Sequence, residues 1–377
     1  MAAFTGTLNV NEFYSGLFNA YKLITTFADG LDALDNTLAE RFKMDGGAFH
    51  DKSVWSDTDI LESREWDPTD TNVLATEQKV KPEQQQIVVN QKRQIGLTTD
   101  QYLSKRIWME PGAFEQFNSV VQAQVGNTKK VYEQRLVNTA TGTMEAQMPD
   151  GKGSKQAQTV SIPADSTEEL RVRLIGRAVA NIFIDVEDTT RDFNDYGFMK
   201  AYKKESMLIV WNASFLNEFK YVDLPTIFHK DGIIDFTGVQ LPGRYFGRAI
   251  TASDIGSGKV IGTDGAYDST KGTLRAKREL TYNDVHYFPG DALSTSGTYV
   301  AVVGGLEAMD VYLEDSTIIC KIMHNDSIKY LSGFETSTEF WNPKNLTSNR
   351  YLTWMYANPD YLRNYPLITL REVTPES

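Results

Sequence analysis

Few groupings in this sequence have the residue types and spacing that chemistry requires. Gly256-Ser257-Gly258-Lys259 holds the glycines and lysine of a phosphate-binding loop, but it lacks the leading-glycine spacing and the Ser/Thr that follows the lysine. Asp57 and Asp59 are a carboxylate pair of the kind used for acid–base work. They sit in a strongly acidic stretch, and the expectation is a solvated surface. His229, beside Lys230 and Asp231, has the chemistry of a base, yet no spacing supplies a nucleophile or an orienting partner. Cys320 lies in an apolar run, which predicts a buried, inert thiol. As the one cysteine, it excludes an intrachain disulfide framework and a multi-cysteine zinc site. The four histidines (His50, His229, His286, His324) are scattered, so no metal site is expected. Walker, dinucleotide, G-x-S-x-G and HExxH motifs are absent. Asn212, Asn325 and Asn345 open glycosylation sequons that are read as chance matches.

With so little chemistry in local motifs, the elements matter more. The chain has 377 residues, 41% hydrophobic and 23% charged, enough for a substantial core and ordinary for a globular protein. A net charge of −12 argues against a generally basic nucleic-acid binder. No run of eighteen apolar residues is present, and MAAFTGTLNVNEF lacks the features of a secretory signal. Folding in a reducing cytoplasm is the expectation.

The first 80 residues carry six Lys/Arg against fourteen Asp/Glu, whereas residues 81–140 carry eight against five. An amphipathic stretch from Phe13 to Phe27 opens the acidic part. A polar segment at 49–80, with Trp55 and Trp66, follows. Such tryptophans serve either a local turn contact or an arm that docks on another chain. Residues 83–97 read as one extended, polar strand of a protruding hairpin. Residues 111–137 predict a long helix opened by Pro111, with Phe114, Phe117, Val121, Val125, Thr128, Tyr132 and Leu136 as its apolar stripe. Its other face holds Lys129, Lys130 and Arg135. Residues 141–165 predict an exposed connection. A second helix is expected from Ser166, capped by that serine, with Leu170, Leu174, Ala178, Ile182 and Val186 inward. MLIVW (207–211) and TYVAVV (298–303) read as buried strands, with a short helix at 212–220 and further strands at 318–323, 328–340 and 350–357. Residues 248–292 read as a surface insertion.

This order of parts resembles the major capsid proteins of tailed bacteriophages with the Hong Kong 97-type fold. Local similarity to such proteins lies in MLIVWNASFLNEFKYVDLPTIFHKDG (207–232), LPGRYFG (241–247) and KIMHNDSIKYLSGFETSTEFWNPKNLTSNRYLTW (321–354). The resemblance implies an α+β fold: an N-terminal arm at 1–48, an extended E-loop hairpin at 49–97, and a peripheral domain at 98–165 and 321–377 built on the spine helix at 111–137. It also implies a compact α/β axial domain at 166–320 carrying the 248–292 insertion. Trp55, Arg64 and Trp66 become inter-subunit contact candidates. Lys129, Lys130 and Arg135 become candidates for facing packaged double-stranded DNA through sequence-blind phosphate contacts.

The implied function is a structural protein that assembles as pentamers and hexamers into an icosahedral shell. Its implied partners are further copies of itself, DNA, portal and scaffold proteins, and decoration proteins. No catalytic residue, cofactor, metal or membrane enters this reading. The implied location is the virion, after assembly in the bacterial host cytoplasm. Some family members cross-link Lys to Asn; Lys52, Lys79 and Lys81 lie in the corresponding region, where lysines are common, and no cross-link is expected. Two alternatives stay open: an encapsulin-like compartment, and a carbohydrate-active enzyme or sugar-binding protein using the abundant aromatics and carboxylates.

Overall fold

The computed structural model describes residues 38–61, 79–100, 111–221, 238–250, 273–282, 284–293 and 310–374, with the isolated positions 63, 65 and 69. The amphipathic stretch expected at 13–27 and the strand expected at 298–303 lie outside them. In chain order, α1 (Leu38–Phe42) leads into β1 (Lys43–Asp45), and β2 (Lys52–Thr58) is followed by β3 (Pro82–Val88) and β4 (Gln91–Asp100). The long helix α2 (Pro111–Thr143) comes next, then β5 (Ala157–Ser161), α3 (Glu168–Glu187), β6 (Met207–Asn212), α4 (Ala213–Tyr221) and β7 (Gly238–Leu241). Short strands follow: β8 (Gly247–Arg248), β9 (Leu274–Ala276), β10 (Leu280–Tyr282), β11 (Val285–Tyr287) and β12 (Val311–Glu314). The chain ends through β13 (Ile318–His324), β14 (Ile328–Asn342), β15 (Thr347–Tyr356), β16 (Asp360–Tyr361) and β17 (Leu367–Val373).

Two sheets organise these parts. The central sheet has the order β5-β17-β13-β6-β7. Every residue of β6 is buried, as are Ile318 to Met323 of β13, because these strands are covered on both faces and read as continuous apolar runs. One face packs on α3 through Val172, Ile175, Val179, Ile182, Phe183 and Val186, together with Ile209, Ile322 and Ile368 of the sheet. The other face packs on the C-terminal half of α2, where Tyr132, Leu136 and Val137 meet Leu208, Met323 and Leu367.

The α3 stripe is rotated from the expected one: Leu174 and Ala178 flank the core and Leu170 is exposed. The cap is one residue later than expected. Thr167 Oγ1 accepts the amide of Leu170 at 3.4 Å, and Glu168 and Glu169 follow in the first turn, favourable to the helix dipole.

The second sheet, β1-β14-β15-β4, is built on long strands. β14 and β15 pair from Ser332↔Tyr356 out to Asn342↔Thr347, and β4 adds ten paired residues along β15. The single strand expected at 83–97 is two strands, because the chain changes partner. Up to Val88 it pairs with β2, Val89 still exchanges backbone hydrogen bonds with His50 and Asp51, and from Gln91 it pairs with β15.

The expected domain limits are also crossed. The boundary at 320/321 falls inside β13, and β17 and β5, both expected in the peripheral part, join the central sheet. The described part of the 248–292 insertion has its own small core of Leu274, Ala276, Tyr287 and Leu293, with Val311. Arg93–Glu279 and Arg135–Asp291 ion pairs tie it to β4 and α2.

Candidate assembly surfaces

The β2–β3 hairpin has little core of its own and is held to the body by polar groups along its strands and at the start of the loop between them. Gln85 donates to the carbonyl of Tyr361 (2.7 Å) and accepts the amide of Arg363 (2.9 Å). The Tyr361 hydroxyl in turn donates to Asp195, a buried carboxylate that also receives Gln156 Nε2 (2.8 Å) and the amide of Gln147 (3.2 Å). Asp57 pairs with Lys200 at 2.7 Å. Asp59 pairs with Arg191 and accepts the amide of Met199 at 2.9 Å.

The carboxylates expected to be solvated are therefore the hairpin's anchors. Burial alone would raise both carboxyl pKa values. For Asp57 the hydrogen bond from Lys200, with that from the Thr58 amide, outweighs it; for Asp59 the Met199 amide and the Arg191 guanidinium do, so both lie below the usual range. Trp55 is half-buried against the cluster of Ile87, Val89, Leu331 and Leu362 within its own chain. Arg64 and Trp66 lie outside the described residues. Lys52, Lys79 and Lys81 are exposed.

The cations of α2 do not form the common open face that their sequence suggests. Lys129 is buried, with its ammonium 2.5 Å from Glu335 and 3.9 Å from Glu133. Arg135 pairs with Asp291 and lies over the Phe288 ring. Of the three, Lys130 is the exposed one. The reason is the neighbour of Lys129 one turn on. Glu133 is buried and needs donors, and it collects Lys43 (3.1 Å), the Tyr330 hydroxyl (3.2 Å) and the Ser332 hydroxyl (3.1 Å). This polar knot joins β1, α2 and β14.

Among the exposed apolar side chains of the described residues, two groups stand out. One lies on β2 and at the two ends of the loop that joins it to β3: Val54, Ile60, Leu61 and Val80. Ile60, Leu61 and Val80 line an open groove of about 490 Å³ together with Tyr196 and Phe198. The other is the distal end of β14–β15, where Phe340 (62% exposed), Trp341 (48%) and Leu346 stand out. Neighbouring strand residues face opposite sides, so Phe340 and Trp341 make both faces of the hairpin end apolar. The sequence carries the signal, adjacent aromatics in the otherwise polar run ETSTEFWNPKN.

Cys320 is buried in β13, and burial pushes its thiol pKa up. His229 and Gly256 to Lys259 lie outside the described residues. No group of three His, Cys, Asp or Glu that could hold a metal occurs among the described residues, and no described helix is long and apolar enough to cross a membrane.

A family model described as Phi29-like phage major capsid protein matches residues 3–359. No curated protein matches. Among solved structures, a chain of the capsid structure of Staphylococcus phage Andhra superposes with a TM-score of 0.59 at 10% identity, covering 90% of this chain and 84% of that one. A chain of the structure of head fiber and inner core protein gp22 of native bacteriophage P68 gives 0.55 at 11%, covering 87% and 82%. At these identities the likeness is one of fold.

Proposed function

Because the chain belongs to the Phi29-like phage major capsid protein family, and is thus the major capsid protein of a tailed bacteriophage with an α+β, Hong Kong 97-like fold, we propose that it assembles as pentamers and hexamers into an icosahedral shell around double-stranded DNA. The observation that carries this reading is two groups of solvent-facing apolar residues, Val54, Ile60 and Leu61 by the β2–β3 strands and Phe340, Trp341 and Leu346 at the end of β14–β15. Grouped exposed apolar side chains are contact surfaces awaiting a partner, and in a shell the partner is another copy.

Residues 1–48 act as the N-terminal arm and 49–97 as the E-loop; the β2–β3 strands are its root, tied to the body by Gln85, Asp57 and Asp59, and the loop between those strands is its outer part, which reaches across a neighbour. Arg64 and Trp66 are the contacts on that outer part, while Trp55 steadies the root. Lys130 is the member of the α2 cations that touches DNA phosphate, without sequence preference. The portal and a scaffold are the further partners, the work is binding and assembly with no catalytic step, and assembly takes place in the host cytoplasm.

The test is the size of the expressed full-length chain. A lone compact chain has a radius of gyration near roughly 21 Å. Closed shells, tubes or capsomers under negative-stain electron microscopy are the expected outcome. A chain that stays monomeric even when co-expressed with the proteins encoded beside it overturns the reading.

A further inference from the structure

Lys321 sits in the middle of β13 with no exposed surface. Its register neighbours are Val210 on β6 and Thr369 on β17. Neither offers its amine an ion partner, and the Thr369 hydroxyl is itself buried with no hydrogen-bond partner among the described residues. Across the gap lies the end of α2, where the Lys321 amine donates to the carbonyl of Met144. That residue still belongs to the helical hydrogen-bond pattern, its amide bonded to Ala140 O at 2.9 Å. The charged groups facing Lys321 are Glu145 from the end of α2, Arg371 from β17 and Asp315 from the β12–β13 turn. Arg371 already pairs with both carboxylates, with Glu145 directly and with Asp315 at 3.5 Å. An ammonium has three protons to place, and here one carbonyl receives it.

We propose that Lys321 is a proton-operated latch between the central sheet and the C-terminal end of α2: the closed junction favours the neutral amine, and taking up a proton favours an open junction in which water reaches the charge. Three placements make the latch together: a fully buried amine, a helix-end carbonyl as its acceptor, and neighbouring carboxylates engaged by a second cation. Burial lowers the amine's pKa from 10.5 to about 7 in the closed form. In the open form it returns toward its ordinary value. The open form therefore binds the proton more tightly between those two values, and opening grows as pH falls through that window. Below about 7 both forms are protonated and the dependence ends.

Amide hydrogen exchange at residues 144–148 of the full-length protein tests this. The amides of Met144, Gln147 and Met148 are all hydrogen-bonded in the closed junction, to Ala140, to Asp195 and Tyr361, and to Asp195. Wild type and Lys321→Met are compared at pH 6, 7, 8 and 9.5, so that intrinsic exchange chemistry cancels at each pH. The wild-type to variant rate ratio is expected to rise up to about tenfold per unit as pH falls from 9.5 to 7, and to level off below. A ratio independent of pH overturns the latch. Lys321→Gln repeats the comparison with a polar, non-titrating side chain. Should neither variant fold, the wild type decides alone: protection factors at 144–148 that do not fall between pH 9.5 and 7 overturn the proposal.

Discussion

A Cβ atom on Gly333 would lie 2.1 Å from the carbonyl oxygen of Gly47 and 2.6 Å from its amide nitrogen. The two glycines mark the point where the turn after β1 crosses the long hairpin, at the register shift between Gly333 and Glu335. The Phe334 amide donates to Gly47 O at 3.0 Å, and the Gly46 amide to Ser332 O at 3.3 Å. Gly47 also has a φ of 67°, which favours glycine. Backbone meets backbone here, and neither can retreat as a flexible side chain would.

Gly333→Ala is therefore expected to cost about 2–3 kcal/mol, the upper range for overpacking. Gly126→Ala, in the helix and facing open space, is expected to gain about 0.8 kcal/mol from helix propensity. Denaturant midpoints of the two variants, moving in opposite directions from wild type, check both.

Glu133 is the second point of dependence. It accepts from Lys43, Tyr330 and Ser332 and lies 3.9 Å from Lys129. Removing it leaves the buried Tyr330 and Ser332 hydroxyls short of an acceptor and Lys43 without its ion partner at this knot, while Lys129 keeps Glu335. Glu133→Ala is expected to cost about 3 kcal/mol, as for one partner taken from a buried pair. Lys130→Ala, next on the helix from Lys129 but exposed, is expected to stay within about 0.5 kcal/mol. Equal melting shifts for the two variants would contradict this division of the helix into a knotted face and an open one.

These same residues explain what the sequence made legible. β6 and β13 are buried on both faces, so their apolar runs stand out without any knowledge of the fold. The start of α2 at Pro111 was legible for an equally local reason, the fit of proline to a first helical turn. Lys129 and Arg135 were misread because their counter-charges, Glu335 and Asp291, lie 206 and 156 positions away. A cation beside a distant carboxylate looks like a cation in water until the chain is folded. Asp57 and Asp59 were misread in the same way, since Lys200 and Arg191 are not local. For α3, spacings of three and four fit two adjacent stripes, and only the sheet beneath decides between them.

The hairpin anchors carry a pH dependence of known sign. Asp57 and Asp59 have carboxyl pKa values below the unfolded value of 3.8. Their contribution is thus fully present above that value and is lost as pH falls through the lower folded values. Acid titration followed by Trp55 fluorescence should show the root loosening only below about pH 4. Asp57→Asn should weaken the hairpin's attachment already at neutral pH and flatten the acid transition. An unchanged transition in Asp57→Asn would remove Asp57 from the anchor.

The last prediction concerns the end of the long hairpin. Phe340 and Trp341 point to opposite faces of β14 and are exposed, so replacing either removes little from the core. Phe340→Asp and Trp341→Asp are each expected to leave stability within about 0.5 kcal/mol of wild type, with unchanged circular dichroism. Burying an aspartate in an apolar contact without a partner is costly, so each variant should shift the protein from large assemblies toward small species in gel filtration, and the double variant should do so more completely. The pairing of readouts matters. A loss of assembly together with a large drop in stability would mean that the aromatics serve the fold. Full assembly with both aspartates in place would remove the hairpin end from the contact surface and leave Ile60 and Leu61, beside β2, as the apolar contacts to change next.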